Sequence, residues 1–304
     1  MGGCVRDWLL GLSPKDLDVE IYGLSPKKIE EILRKKFHVE MVGKSFGVWI
    51  LKGYHIDVSI PRRERKTGEG HKAFDVECDP MMSTKEACSR RDFTINAILC
   101  DWLTGEIIDP FDGRKDMRLK ILRHTSDRFR EDPLRVLRAM QFAARFEMSV
   151  APETVELCKT IEPENLAPER IYEEWKKLLL RGIKISAGLN FLRDCGWIKY
   201  FPGRAATIGC KQDPEWHPEG DVFAHTGFCM DSFAKDRIGD EWEDLVVGFA
   251  VLCHDFGKPR CTKLCEDGKI RSHGHDIFGV APTRSFLQRL TREKALVEQV
   301  LPLV

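Results

Sequence analysis

The alternation of polar and apolar residues gives the first elements of this chain. In Leu17-Asp18-Val19-Glu20-Ile21-Tyr22 every second side chain is apolar, the period of a half-buried strand. Asp16 and Asp18, two residues apart, therefore project from one face. Ser25-Pro26 then opens a helix, with Ser as N-cap and Pro at the first position, and Ile29, Ile32 and Leu33 form its apolar face. A strand-like run from Val39 to Leu51 is broken at Gly43 and Gly47. His55 to Ile60 alternates again and sets Asp57 opposite Ile56, Val58 and Ile60. The charged run Arg62 to Lys72 has no period and reads as a mobile loop. Asp109-Pro110-Phe111-Asp112-Gly113 is a turn that closes a first domain.

Beyond that turn the period becomes helical. Asp132 and Pro133 suit the N-cap and first position of a helix through Phe142. Helical spacing persists from about 150 to 215, with Leu178, Leu179, Leu180, Leu189, Phe191 and Leu192 as core candidates. A further apolar helix runs from Leu245 to Leu252, and Phe256-Gly257-Lys258-Pro259 is a stop signal after it. Strands followed by helices predict an α+β chain with a mixed sheet near its N-terminus.

The 304 residues suffice for two or three domains. Lys plus Arg equals Asp plus Glu, so any nucleic-acid contact must be a local patch. The eleven cysteines form no Cys-x-x-Cys pair and read as free thiols of a reducing cytoplasm. No apolar window is long enough to span a membrane.

Paired acids on one strand face repel each other unless a cation sits between them. Asp16 and Asp18 are thus candidate metal ligands, with Asp57 as a third carboxylate. Gly2-Gly3 lets backbone amides approach an anion, and Arg6 adds a fixed positive charge. In Arg90-Arg91-Asp92-Phe93-Thr94-Ile95-Asn96, arginine suits phosphate, while Asp92 and Asn96 suit a ribose hydroxyl or a base edge. Asp132 with Arg135 could read the Watson–Crick edge of cytosine or adenine, accepting from the exocyclic amine and donating to N3 or N1. Arg138 follows at helical spacing. Each feature also has a plain reading as a turn, a solvated strand face or a helix cap, so the case rests on their combination. Arg170, Lys176, Lys177, Arg181 and Lys184 add local positive charge that could follow an RNA backbone. In the last third, His217, His225, His254-Asp255, His273 and His275-Asp276 gather as plausible ligands for a divalent metal.

Together Gly-Gly-x-Val-Arg-Asp, Leu-Leu-Gly, Lys-Asp-x-Asp, Arg-Arg-Asp-Phe-Thr-Ile-Asn-Ala and Glu-Asp-Pro-Leu-Arg-Val-Leu-Arg resemble the class II tRNA nucleotidyltransferases, from Gly2 to about Trp197. These are bacterial CCA-adding enzymes and the related poly(A) polymerases. His225, His254-Asp255 and His273-x-His275 resemble the HD phosphohydrolase domain that some of these enzymes carry. The resemblance implies a polymerase-β-like nucleotidyltransferase head (1–115), an all-α neck and body (116–215) and an α-helical HD domain (216–304) incomplete at its C-terminus. It implies Mg²⁺ on Asp16 and Asp18, with Asp57 as the third catalytic carboxylate. Nucleotide contacts would fall to Gly3, Arg6, Arg91, Asp92, Asn96, Asp132, Arg135 and Arg138. His225, His254 and Asp255 would hold a second divalent metal. The expected partners are tRNA, CTP and ATP, and the expected activity is addition of C and A to the tRNA 3′ end in the cytoplasm. Poly(A) synthesis and HD-type phosphate-ester hydrolysis are the alternatives. Three departures stand out: no strand precedes Gly-Gly, which points to an N-terminus either cut short or mis-assigned; Gln141 stands where relatives often carry arginine; and the further Asp of an HD site is missing before Val304.

Overall fold

Four short strands, β1 (Leu17–Glu20), β2 (Val39–Val42), β3 (Val48–Leu51) and β4 (Ile56–Ser59), form a sheet in the order β1-β4-β3-β2. In the computed structural model, which describes residues 1–42, 47–66 and 74–304, β1 runs parallel to β4 and the other neighbours pair antiparallel. The mixed sheet expected from the alternation is present. Its register sets Asp18 beside Asp57 and Glu20 beside Ser59.

Trp49, Leu51 and Val58 point to the sheet's other face and are 1–4% exposed. They pack with Ile29 of the helix Pro26–Arg34. Ser25 Oγ accepts from the amide of Lys28, so the predicted cap forms. Leu33 joins this core, but Ile32 is 44% exposed. It lies one helical step off the stripe that Ile29 and Leu33 define, and the expectation of a buried Ile32 fails for that reason. Burial of Ile29 contributes roughly 1.5–3 kcal/mol.

Arg62–Lys66 is a strand, contrary to the loop expected there. It pairs with Phe74–Cys78, Arg62 opposite Cys78 and Lys66 opposite Phe74. Backbone pairing holds this run extended although its side chains show no period. The remainder of the expected loop, 67–73, and the break at Gly43 lie outside the described residues. After the helix Thr84–Ser89, the stretch from Arg91 to Ile98 folds inward around a single turn at Thr94–Asn96. Asp109, at the predicted turn, accepts from the amides of Gly113 and Arg114 and starts the helix Gly113–Leu119.

Residues 1–131 form one compact unit and residues 132–304 a second. The second is helical, with main helices Leu134–Phe146, Pro168–Arg181, Ile185–Asp194, Val222–Lys235, Glu241–Cys253 and His275–Leu290. Leu178, Leu179, Leu189, Phe191 and Leu192 are buried as expected. Its C-terminal half is organised around Phe286, whose ring meets Trp175, Phe201, Phe249 and Phe256 at centroid separations of 5.3–6.3 Å. The predicted stop forms: the helix Glu241–Cys253 ends one residue after Leu252, and a separate short helix, Lys258–Cys261, starts with Pro259 in its first turn. Gly257 is needed there: a Cβ would lie 1.9 Å from the carbonyl oxygen of His275.

Candidate active site

The first unit contains a cavity of about 260 Å³ on the acid-bearing side of the sheet. Asp18, Glu20, Asp57, Arg62, Arg90 and Arg91 are among its lining residues. Parallel pairing of β1 and β4 brings Asp18 and Asp57 side by side. Burial pushes the Asp18 carboxyl above its usual range, and the charges of Asp57 and Asp16 push it further, against the amino terminus and Arg91. Two carboxylates held side by side favour a cation between them. Their hard oxygen donors fit a divalent cation of the magnesium type. Asp16 stands apart: its side chain is 72% exposed, 3.6 Å from Nδ1 of His55, just before β1 begins. Its charge reaches Asp18, but it is not part of the cavity wall. Glu20 was not singled out from the sequence, although its position two residues after Asp18 put it on the same face. The Tyr22 hydroxyl donates to Glu20 Oε2 at 2.6 Å and orients it.

Behind the cavity, several predicted nucleotide contacts form a buried network. Arg6 Nη1 donates to Asn96 Oδ1 at 2.5 Å, and Asn96 Nδ2 donates to Asp92 Oδ1 at 2.9 Å. Asp92 Oδ1 also accepts from the amide of Phe93. Arg6, Asp92 and Asn96 are 5–8% exposed. Arg91, by contrast, reaches the cavity and anchors itself through Nη1 to the Asn96 carbonyl. The need for glycine falls on Gly2, at φ +67°, where a Cβ would lie 2.2 Å from Arg91 Nη1. Gly3 has only an ordinary contact at that position.

In the second unit, the helix Leu134–Phe146 begins one residue later than predicted, with Pro133 as its cap residue. Asp132 Oδ1 accepts from the amide of Leu134. Its Oδ2 takes Arg170 Nη2 at 2.7 Å, a partner 38 residues away. The sequence had offered Arg170 only as general positive charge. Arg135 and Arg138 are half-buried on the same helix, and the Arg138 guanidinium sits 5.2 Å from the Phe142 ring centroid. Gln141 is 2% exposed and its Oε1 lacks a donor, so this position faces the interior. Of the basic residues expected along an RNA backbone, Lys176 pairs with Glu241 and Lys177 with Glu174.

The C-terminal histidines do gather. Asp255 is 1% exposed, and its Oδ2 lies 3.2 Å from His254 Nε2, 3.9 Å from His225 Nε2 and 2.8 Å from Lys258 Nζ. His275 Nε2 stands 3.8 Å from Oδ1. Each imidazole spends its other nitrogen on an acceptor: His225 Nδ1 on Glu219, His254 Nδ1 on the Val251 carbonyl and His275 Nδ1 on the Ser272 carbonyl. Such acceptors fix each ring with its Nε2 turned toward Asp255, the arrangement of metal-binding histidines. Asp255 Oδ2 is buried against the Lys258 ammonium. Burial raises its carboxyl, but His254 and Lys258 outweigh that and hold it down at about 2. The residues therefore fit a divalent metal. His275 was among the histidines expected to gather, whereas Glu219 and Cys229 were missed as contributors. Glu219 and Cys229 lie six residues before and four after His225, the second at one-turn helical spacing that could have been noticed.

A sheet with paired acids on an arginine-lined cavity, followed by a helical unit, defines a nucleotidyltransferase of the polymerase-β type. A family model described as the poly A polymerase head domain matches residues 1–123, and one described as the probable RNA and SrmB-binding site of polymerase A matches 147–207. The chain is 38% identical over 295 residues to a multifunctional CCA protein of Laribacter hongkongensis, covering 95% of this chain and 69% of that one. It is 37% identical over 303 residues to one from Neisseria meningitidis serogroup A, covering 98% and 69%. The chain belongs to the multifunctional CCA protein family of tRNA nucleotidyltransferases, and is an enzyme. Among solved structures, a tRNA-processing enzyme in an apo form aligns with a TM-score of 0.62 at 22% identity, covering 99% of this chain and 75% of that one. The Thermotoga maritima CCA-adding enzyme, complexed with tRNA, aligns at 0.57 and 20%, covering 100% and 73%. These likenesses speak for the fold. Among the described residues no helix is long and apolar enough to cross a membrane.

Proposed function

We propose that this chain adds C and A to tRNA 3′ ends from CTP and ATP without a nucleic-acid template. The reading is carried by the in-register Asp18–Asp57 pair on an arginine-lined cavity, within a family whose named relatives are multifunctional CCA proteins. Solved structures of similar fold include a tRNA-processing enzyme with CTP and a tRNA nucleotidyltransferase with a primer tRNA and an ATP analogue.

Asp18 and Asp57 would hold Mg²⁺, with Asp16 adding charge at the rim and Glu20 available beside them. When bound, Mg²⁺ lowers the pKa of the tRNA 3′-hydroxyl and neutralises the pyrophosphate leaving group. Arg91, with Arg62 and Arg90, grips the triphosphate and aims its α-phosphorus at that hydroxyl. The new bond joins the 3′-oxygen to the α-phosphorus, and the bond to pyrophosphate breaks. Arg6, Asn96 and Asp92 hold the Arg91 stretch in place from behind, with Gly2 passing close to Arg91 just before the helix Gly3–Leu9. Asp132 with Arg135 offers an acceptor and a donor that match cytosine and adenine and refuse guanine and uracil. Arg138 supports the same helix face.

A second reading rests on separate residues. The three imidazole Nε2 atoms gathered within 4 Å of the Asp255 carboxylate favour a metal-dependent phosphohydrolase of the HD type in residues 216–304.

Three tRNA transcripts, ending before CCA, after C and after CC, test the first reading with Mg²⁺ and CTP, ATP or both. Stepwise addition that stops at the complete CCA end and is lost in Asp18→Ala supports it. A long adenosine tail would reassign the chain to poly(A) synthesis, and no extension at all would sink the transferase reading. Phosphate release from nucleoside phosphates that survives Asp18→Ala but not Asp255→Ala would support the second activity.

A further inference from the structure

On the helix Val222–Lys235, Cys229 follows His225 by four residues, so the two side chains stand one above the other on one face. Cys229 Sγ lies 3.4 Å from His225 Nε2. The ligand atoms of His225, Cys229 and His254 all fall within 4.8 Å of one another. A tetrahedral zinc ion with Zn–S of about 2.3 Å and Zn–N of about 2.0 Å sets its sulfur and nitrogen ligands roughly 3.5 Å apart. The Cys229–His225 separation has that length. His254 Nε2 keeps its lone pair, because Nδ1 is committed to the Val251 carbonyl. His254 Nε2 stands 3.2 Å from Asp255 Oδ2, close enough for both atoms to reach one ion. Asp255 Oδ2 is buried between His254 Nε2 at 3.2 Å and Lys258 Nζ at 2.8 Å, at the edge of the same cluster.

We infer that Cys229 is a ligand of the metal held by His225, His254 and Asp255, and that its sulfur turns this site toward borderline ions such as Zn²⁺ or Co²⁺ rather than Mg²⁺. The inference rests on the metal-binding reading of the histidine cluster. Imidazole suits zinc and its neighbours in the first transition row, and thiolate shifts the choice further from hard, oxygen-seeking ions. The chain would then carry two metal centres of opposite taste. The head uses only carboxylate oxygen, whereas the C-terminal site mixes nitrogen, sulfur and one carboxylate. Glu219, which accepts from both His217 and His225, fixes the His225 ring as an outer partner.

The test is a Co²⁺ titration of the full chain followed by absorption, with Cys229→Ser, Cys229→Ala and His254→Ala beside the wild type. The wild type should bind Co²⁺ with a near-ultraviolet sulfur-to-cobalt charge-transfer band beside the visible ligand-field bands. Cys229→Ser and Cys229→Ala should keep the visible bands, lose the charge-transfer band and bind Co²⁺ roughly tenfold or more weakly. His254→Ala should lose binding altogether. Cys229→Asp should restore affinity for Mn²⁺ without restoring the band. If Cys229→Ser keeps the wild-type spectrum and affinity, Cys229 is only a hydrogen-bond partner of His225 and the inference falls alone. If the wild type takes up no Co²⁺, the inference falls together with the metal-binding reading beneath it.

Discussion

Arg170 reaches back along the helical unit to Asp132 and holds its Oδ2 at 2.7 Å. One carboxylate oxygen is thus fixed by a guanidinium and the other by the Leu134 amide at 3.1 Å. An acid meant to read the exocyclic amine of a base must hold one orientation, and this bracket supplies it. Both side chains are partly exposed, so the pair contributes about 1 kcal/mol or less to stability. Arg170→Ala should therefore unfold at nearly the wild-type urea concentration. It should nonetheless lower CTP and ATP incorporation roughly tenfold or more, as expected for a lost charge-assisted hydrogen bond. Arg170→Lys keeps the charge but loses the fork, and should fall between the two. Single-nucleotide incorporation assays with all four nucleotides check this. Wild-type selectivity in Arg170→Ala would dismiss the bracket.

The Asp18–Asp57 pair sets function against stability in the head. Asp18 has its carboxyl raised by burial first and by Asp57 and Asp16 next. A carboxyl raised in the folded state favours folding at pH below its unfolded value, and that advantage is lost as pH rises through the folded value. At neutral pH the ionised Asp18 thus weighs against the fold. Asp18→Asn should raise the urea midpoint of the metal-free chain at pH 7. It should also abolish most nucleotide addition, about 10³-fold if several kcal/mol of transition-state stabilisation are lost. Added Mg²⁺ should stabilise the wild type and leave Asp18→Asn unmoved. An unchanged or lowered midpoint in the variant would contradict the burial cost inferred for the ionised Asp18.

Asn96 links two buried charged side chains, accepting from Arg6 and donating to Asp92. Its removal leaves polar atoms in the interior with one partner fewer. Asn96→Ala should cost about 1–3 kcal/mol, read as a lower urea midpoint for the head. Its KM for CTP should move less than its stability. A large KM change on an undiminished midpoint would mean that Asn96 touches nucleotide directly, as its place in the motif first suggested.

How much of this could be seen in the chain alone depends on sequence distance. Asp16, Asp18 and Asp57 were legible because strand alternation reports which face a residue takes, and the helix cap at Ser25 is a purely local signal. That Asp16 would stand outside the cavity was not legible, because the strand begins only at Leu17. The Arg62–Lys66 strand was hidden because its partner, not its own side-chain pattern, keeps it extended. Arg170 was hidden too: nothing in a sequence tells which of several basic residues returns to an acid 38 positions earlier. The histidine cluster was visible as chemistry, but the neighbours that fix each ring, Glu219, Val251 and Ser272, emerge only in three dimensions.

Asp255 gives the second unit an acid-sensitive element. Burial alone would raise its carboxyl, but His254 and Lys258 hold it at about 2, against an ordinary value near 3.8. A depressed carboxyl contributes stability that is present above the unfolded value and lost as pH falls through the folded one. The window therefore runs from about pH 4 down to pH 2, and the contribution is about 2 kcal/mol. In metal-free protein, amide hydrogen exchange in peptides spanning 241–261 should accelerate through that window more steeply than in Asp255→Asn. The variant should start from lower protection at pH 7, because Lys258 then lacks its anionic partner. Parallel pH profiles for wild type and variant, once corrected for intrinsic exchange, would show that Asp255 does not carry this acid sensitivity.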